Sequence, residues 1–370
     1  MLIEKIKLNH LSMPLVSPFE TSFGRISERE CIIISIYSGG LIGIGECVAD
    51  RDPGYAYETS GTALHIIIDF LIPMILGKVV NSAEDFSNLA TGVRGHRMAK
   101  AGMEMALWDL FGKAQGKSLR NLLRGKKQKV RVGVSVGLQS SPQELSRVIS
   151  GYLEKGYGRI KLKIKPGRDI GDVSFIRSTY PDIDLQVDAN SAYTYKSAQA
   201  LLDLDNFNLL MIEQPLFEDD LWEHHKLQKQ FHTPICLDES ILSARHARSA
   251  IEMGACRIIN IKAGRVGGLS EAVAIHDACM EMEIPNWCGG MLETGVGRAS
   301  NLALASLPNF HFPADISATS RYYKRDITNE DFLLNSDSTI NVPDGVGLGV
   351  TINEKYFNEF SLSETIYGKI

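Results

Sequence analysis

From residue 130 onward the chain repeats one unit: a short run rich in Val and Ile, a turn, then a stretch with helical spacing of apolar residues. The runs are VRVGVSVGL from Val130, RIKLKIK from Arg159, DLQVDAN from Asp184, LLMIEQP from Leu209, TPICLDE from Thr233, RIINIK from Arg257, IPNWCGG from Ile284 and, with weaker patterning, NFHFPADI from Asn309. Strands alternating with helices at this spacing signal βα units and a parallel sheet. Eight is the strand number that closes such a sheet into a barrel.

The first intervening helix is the best marked. Ser141 suits the cap, Pro142 the first helical position, Glu144 completes a capping box, and Gly156 ends it. Between Gly267 and Glu283, Leu269, Val273, Ala274 and Ala278 predict a stripe that packs on the sheet. Ahead of the barrel, residues 1–50 read as a strand meander, with CIIISIYSGGLIGIGEC as a hairpin through Gly39 and Gly40. Residues 57–124 read as helices, with Asn81 or Ser82 capping the second, so an α+β domain is expected over 1–125 and the barrel over 126–318. The turn-rich segment 319–370 is expected to pack back on the first domain.

Composition removes several function classes. Lys plus Arg is 39 and Asp plus Glu is 44, a net charge of −5 that gives no electrostatic footprint for nucleic acid or an anionic membrane. The N-terminus has no signal-like apolar stretch, and the most apolar segment, Leu64 to Leu76, is short and interrupted by Asp69, so a soluble cytoplasmic protein is expected. Six cysteines without a Cys-x-x-Cys pair predict reduced, buried thiols. Neither His-Glu-x-x-His nor a phosphate-binding Gly-rich Lys motif is present.

Five charged residues close consecutive strands: Lys163, Asp188, Glu213, Asp238 and Lys262, separated by 25, 25, 25 and 24 residues. One βα unit per step sets them at one height at the C-terminal end of the barrel, where such folds carry their active sites. Three buried carboxylates side by side need compensation, and a divalent cation is the simplest source. Oxygen donors without His or Cys suit Mg2+, with Mn2+ as a substitute, better than Zn2+. Strands two and six are four steps of about 45° apart, on opposite sides of the barrel. A substrate carboxylate on the metal would then have its α-carbon between two lysines, one for each face. Removing an α-proton beside a carboxylate creates a second negative charge, which Mg2+ as Lewis acid would stabilise as an enediolate. Lys161 and Lys163 share one side of their strand, so Lys161 and the metal lie near Lys163 and lower its proton affinity; Lys163 is the expected base.

These residues resemble the enolase superfamily, in its muconate-lactonizing-enzyme-like subgroup. The resemblance covers essentially the whole chain and rests on Lys161-Leu162-Lys163, Asp188-Ala189-Asn190, Glu213-Gln214-Pro215, Asp238-Glu239-Ser240, Asn260-Ile261-Lys262 and the helix AGMEMALWDLFGKAQGKSL from Ala101. LQVDANSAYT, PICLDESI, NIKAGRVGG, IPNWCGGMLETGVGRASN and LASLPNF further resemble the N-acylamino acid racemase and o-succinylbenzoate synthase subfamily. The resemblance implies an α/β fold in which a (β/α)7β modified TIM barrel lies under an α+β capping domain built from both termini. It implies Mg2+ at Asp188, Glu213 and Asp238, acid/base roles for Lys163 and Lys262, a small-molecule carboxylate substrate and a homo-oligomer.

Two departures narrow the reaction. IPNWCGG lacks the seventh-strand histidine base of mandelate-racemase-like members, and Asp315-Ile316-Ser317 keeps only the first acid of the Asp-x-Asp by which dipeptide epimerases hold an ammonium. The leading expectation is dehydration to o-succinylbenzoate in menaquinone biosynthesis, with N-succinylamino acid racemisation at the same site. A dedicated racemase is the closest rival and a cycloisomerase the next. For substrate contacts the candidates are Phe19, Phe23 and Tyr55 from the capping loops, with domain packing as their alternative role, together with Ser135, Lys161, Asn190, Met291, Glu293 and Thr294. Glu239 orients Lys262 or supports another group. Arg265 biases Lys262 or binds a loop carboxylate.

Overall fold

Along Arg159–Lys163 the side chains alternate between two environments. Arg159, Lys161 and Lys163 turn to the barrel axis, where they meet acids of other strands, and Ile160 and Leu162 turn to the helices. In the computed structural model, which describes residues 1–368, this strand is second in a parallel sheet of seven. The sheet runs in chain order through Gly133–Val136, Arg159–Lys163, Asp184–Asp188, Ile212–Glu213, Ile235–Leu237, Ile258–Ile261 and Asn286–Cys288. The eighth run closes it: His311 N bonds Asn286 O on one side and Gly133 N bonds Ala314 O on the other. Helices follow each of the first seven strands, giving the (β/α)7β order.

Register sets the height of the charged residues. Lys163 pairs with Asp188 and Asp188 with Glu213, so three of the five share one level. Glu213 pairs with Cys236 and Cys236 with Ile258, which carries Asp238 and then Lys262 further up the wall by the stagger that closes a barrel. Below them the axis is filled by Trp287 with Met211, Cys236 and Ile258.

The capping domain holds a four-stranded antiparallel sheet ordered Ser361–Gly368, Lys5–Thr21, Gly24–Ser38, Leu41–Cys47, so both ends of the chain contribute to it. Gly39 and Gly40 make the hairpin with φ of 55° and 78°. The helix Arg97–Gln115 is buried on almost every side. It approaches the sheet closely because Gly43 and Gly45 have no Cβ, which would stand 2.1 Å from Ala106 O and 2.3 Å from Gly102 O. In the first strand Leu15 to Pro18 leave the ladder opposite Ser27, since Pro14 pairs with Glu28 and Phe19 with Ile26. That bulge delivers residues 19–22 to the barrel, where Leu138 N bonds Glu20 O and Ser22 Oγ bonds Asn190 O.

Several local expectations change. Ser141 caps its helix, but Glu144 returns no bond to the cap and pairs with Arg147 at 2.6 Å, so the capping box is half formed. The helix Leu269–Glu281 buries Leu269 and Ala278 as expected and half-buries Val273, but Ala274 is exposed and Ala272, Ile275, His276 and Cys279 complete the packed face. Ser82 caps Ala83–Leu89. After the barrel the chain is more regular than its turn-rich composition suggests: Thr339–Asn341 pairs with Lys129–Arg131, and Glu354–Phe360 is helical. All six cysteines are free and buried. Among the described residues no helix is long and apolar enough to cross a membrane.

Candidate active site

The mouth of the barrel and the capping loops enclose a cavity of about 180 Å³. Phe19, Phe23, Tyr55, Ser135, Lys161, Lys163, Asn190, Lys262 and Met291 all stand on its wall. Glu293 and Thr294 do not. Glu293 turns inward to accept from Met291 N at 2.8 Å and Asn301 Nδ2 at 2.8 Å, and Thr294 caps the helix Gly295–Ala305 while bonding Glu46 at 2.7 Å.

On the floor, each carboxylate is engaged by cations. Lys163 Nζ lies 2.6 Å from Asp188 Oδ2 and 2.6 Å from Asn190 Oδ1. Lys262 Nζ lies 2.6 Å from Asp238 Oδ2 and 3.1 Å from the Tyr55 hydroxyl, which itself donates to Asp238 Oδ1 at 3.1 Å. Lys161 Nζ bridges Asp188 at 3.0 Å, Glu213 at 2.9 Å and Asp315 at 2.6 Å. Arg265 pairs with Asp238, the strand-end acid that Lys262 also holds, rather than with a loop carboxylate, and donates to Asn260 O at 2.6 Å and Ile241 O at 2.8 Å. Glu239 accepts from Asn190 Nδ2 at 2.9 Å, and Asn190 in turn holds Lys163; Glu239 therefore supports the Lys163 side of the cavity.

Burial and charge pull against each other here. Burial raises the Asp188 carboxyl, but Lys163 and Lys161 outweigh it and hold it well below the usual range. Burial and then the Asp188 charge push Glu213 up to about 7. Burial lowers Lys262, and Asp238 overrides it, so that amine keeps its proton well above the lysine norm. Burial, Asp238 and Asp188 push Glu239 up to about 8.

Residues that the spacing argument passed over complete the arrangement. Asp315 closes the eighth strand and ion-pairs Arg159 at 2.7 Å through Oδ1, while Oδ2 takes Lys161 at 2.6 Å and Ser135 Oγ at 2.9 Å. Its signal was a charge ending the eighth run, as a charge ends each of runs two to six. Asn260 Nδ2 donates to Glu213 Oε1 at 2.7 Å, and Gln214 Oε1 accepts from Asp238 N at 2.9 Å, which ties neighbouring strand ends together. Arg29, fully buried, donates to Met291 O at 3.0 Å and pairs with Asp50 at 2.9 Å, fastening the capping sheet to the loop after the seventh strand.

Asp188, Glu213 and Asp238 form a buried set of carboxylate oxygen donors with no His or Cys, the chemistry that suits a hard divalent cation. Among the described residues no three such side chains converge into a ready-made cation centre; ammonium and guanidinium groups supply the neutralising charge.

Comparison with known proteins gives one answer over the whole length. Residues 4–124 match the mandelate racemase / muconate lactonizing enzyme N-terminal domain, and residues 144–356 the enolase C-terminal domain-like family. The chain is 47% identical to the o-succinylbenzoate synthase of Bacillus subtilis, over 97% of this chain and 96% of that one. It is 46% identical to an N-succinylamino acid racemase of Amycolatopsis over 100% of both. A solved enolase superfamily member from Listeria innocua superposes with a TM-score of 0.95 at 40% identity, covering 99% of each chain. Enzymes of this superfamily generally use a divalent metal. With both domains matched and relatives of this closeness, the chain belongs to the enolase superfamily.

Proposed function

We propose that this chain is a Mg2+-dependent o-succinylbenzoate synthase that also racemises N-succinylamino acids, with Mn2+ as a substitute metal. The observation that carries the reading is the pair Lys163 and Lys262, which reach one cavity from the second and sixth strands with Asp188, Glu213 and Asp238 between them. Relatives of both names, at 47% and 46% identity, support the pairing of activities. Asp315 is engaged by Arg159 and Lys161, which leaves no free acid there for a substrate ammonium and disfavours a dipeptide substrate.

Asp188, Glu213 and Asp238 would hold the cation, which when bound supplies Lewis-acid stabilisation for the substrate carboxylate. Lys163 Nζ takes the α-proton, with Asn190 Oδ1 fixing its direction. In the dehydration that proton leaves with the hydroxyl of the adjacent carbon as water, and the ring becomes aromatic. Lys262 keeps its proton there and stabilises developing negative charge. In racemisation Lys262 Nζ delivers a proton to the opposite face while Lys163 retains the one it removed. We place the enzyme in the cytoplasm as a homo-oligomer; six free, buried thiols suit a reducing compartment.

Purified protein assayed on both substrates is expected to turn over each with Mg2+, to lose both activities on chelation, and to regain them when Mg2+ or Mn2+ is returned. Turnover of neither, or activity that survives complete chelation, overturns the proposal. Racemisation without dehydration would recast the chain as a dedicated racemase.

A further inference from the structure

The two named relatives act on different molecules, but o-succinylbenzoate and the N-succinylamino acids share a succinyl arm that ends in a carboxylate. A substrate of either kind carries two negative charges, and the floor of the cavity answers only the one beside the reacting carbon. The other cations on the wall are committed or screened. Lys161, Lys163 and Lys262 sit on floor carboxylates and Arg29 on Asp50, while Arg25 is exposed at the rim, where water and salt weaken its field.

Arg321 stands directly behind the wall and is neither. Its side chain is 9% exposed. One nitrogen donates to Ser135 O at 3.0 Å, Nε is enclosed without a partner, and among the described residues it makes no ion pair. The guanidinium carbon lies 5.8 Å from the Phe19 ring centroid and 5.1 Å from that of Tyr322, and Tyr152 covers it at 5.1 Å. Phe19, Tyr322 and Ser135 all line the cavity. Lys163 Nζ lies 5.9 Å from the same Phe19 ring centroid, so the proposed base and a cation without a counter-ion both neighbour one aromatic side chain. A guanidinium held away from water without a counter-ion is costly, and its field across an apolar wall is weakly screened. An extended succinyl arm reaches about 6 Å from the α-carbon to its distal carboxylate, comparable with the 5.9 Å from Lys163 Nζ to the Phe19 ring centroid, so an arm anchored beside Lys163 reaches the Phe19 side of the cavity.

We propose that Arg321 is a specificity-determining residue that selects carboxylate-terminated acyl arms, drawing the distal carboxylate to the Phe19, Ser135 and Tyr322 side of the cavity. The inference rests on the function proposed above, and it explains why one site serves two reactions that share only the arm and the α-proton step.

The test compares N-succinyl-phenylalanine with its succinamyl analogue, in which an isosteric amide replaces the distal carboxylate, using Mg2+-loaded protein. Wild type is expected to favour the charged arm by about tenfold or more in kcat/KM, through KM. Arg321→Gln, or Arg321→Met if Gln folds poorly by thermal melting, collapses that ratio, and Arg321→Lys retains most of it. No preference in wild type, an unchanged ratio in the neutral variants, or a collapse produced by Arg25→Gln instead overturns the proposal. If wild type turns over neither compound, the catalytic reading fails separately, and calorimetric binding of the same pair to wild type and variants decides Arg321 by the same ratios.

Discussion

The floor and the roof of the cavity are built on opposite principles. The floor is the ends of barrel strands, where buried acids and bases neutralise one another: Lys161 alone touches three carboxylates, and Asp315 takes two cations and a hydroxyl. The roof is made of loops with aromatic side chains and few polar commitments; Phe23 is 44% exposed and meets Tyr55 at 6.5 Å between ring centroids. Buried paired charge tolerates no loss of a partner, whereas an exposed ring gives up only contact area. Substitutions below should therefore change whether the reaction runs, and those above should change what is bound.

The sharpest break of that division is at the lysines. Lys163→Ala is expected to lower dehydration and racemisation together by about 10²- to 10⁴-fold, the range for a positioned general base. Lys262→Gln keeps a donor but cannot exchange a proton, so racemisation should vanish while dehydration persists at a reduced rate. Parallel losses of both activities in Lys262→Gln would show that Lys262 moves a proton in each. Next in size is Asp315→Asn, which leaves Arg159 and Lys161 facing a neutral group. Unpairing buried charges of this kind costs about 3–5 kcal/mol, so denaturant midpoints should fall accordingly. A loss below about 1 kcal/mol would mean that water reaches the eighth strand end.

The same division explains what the sequence disclosed. The floor was legible because βα units of nearly constant length set Lys163, Asp188, Glu213, Asp238 and Lys262 at a recurring interval, and the register keeps the first three level. Asp315 escaped that count because the eighth run, with Pro313 inside it, is patterned weakly and bonds its neighbours only through isolated bridges. The roof was half legible. Phe19, Phe23 and Tyr55 could be guessed from aromatic residues among Gly and Pro, but Arg29 on the cavity wall and Arg321 behind it are placed by partners 262 and 186 residues away, a distance that no local pattern encodes. Glu293 and Thr294 lie in the right loop and face away from the cavity, because the helix that follows needs them at its start.

Glu46 joins the two regions and offers a quieter test. It is the penultimate residue of the strand Leu41–Cys47 in the capping sheet and accepts bonds from Thr294 N, Thr294 Oγ1 and Gly297 N at the start of the helix Gly295–Ala305. Burial and then the Glu293 charge push it from 4.5 up to about 7. A carboxyl raised on folding favours the folded state while protonated, so its contribution is complete below about pH 4.5 and lost as pH rises through 7. Linkage puts that loss at about 3 kcal/mol. Glu46→Gln should flatten the stability profile between those limits, and a profile as steep as wild type would assign the titration to another group.

Phe23→Ala should produce the smallest effect and is the cleanest probe of the roof. Its ring is nearly half exposed, so stability should stay within about 0.5 kcal/mol of wild type by thermal melting. The ring nonetheless lines the cavity beside Tyr55, and an aromatic contact worth about 0.5–1.5 kcal/mol to a bound arm converts to a KM raised about two- to thirteenfold. Because Tyr55 also donates to Asp238, a roof that only shapes the pocket and a roof that steers the floor make different predictions here. A rise in KM with kcat little moved supports the first. A fall in kcat would mean that Phe23 holds Tyr55 against Asp238 and Lys262, and that the roof reaches into the chemistry.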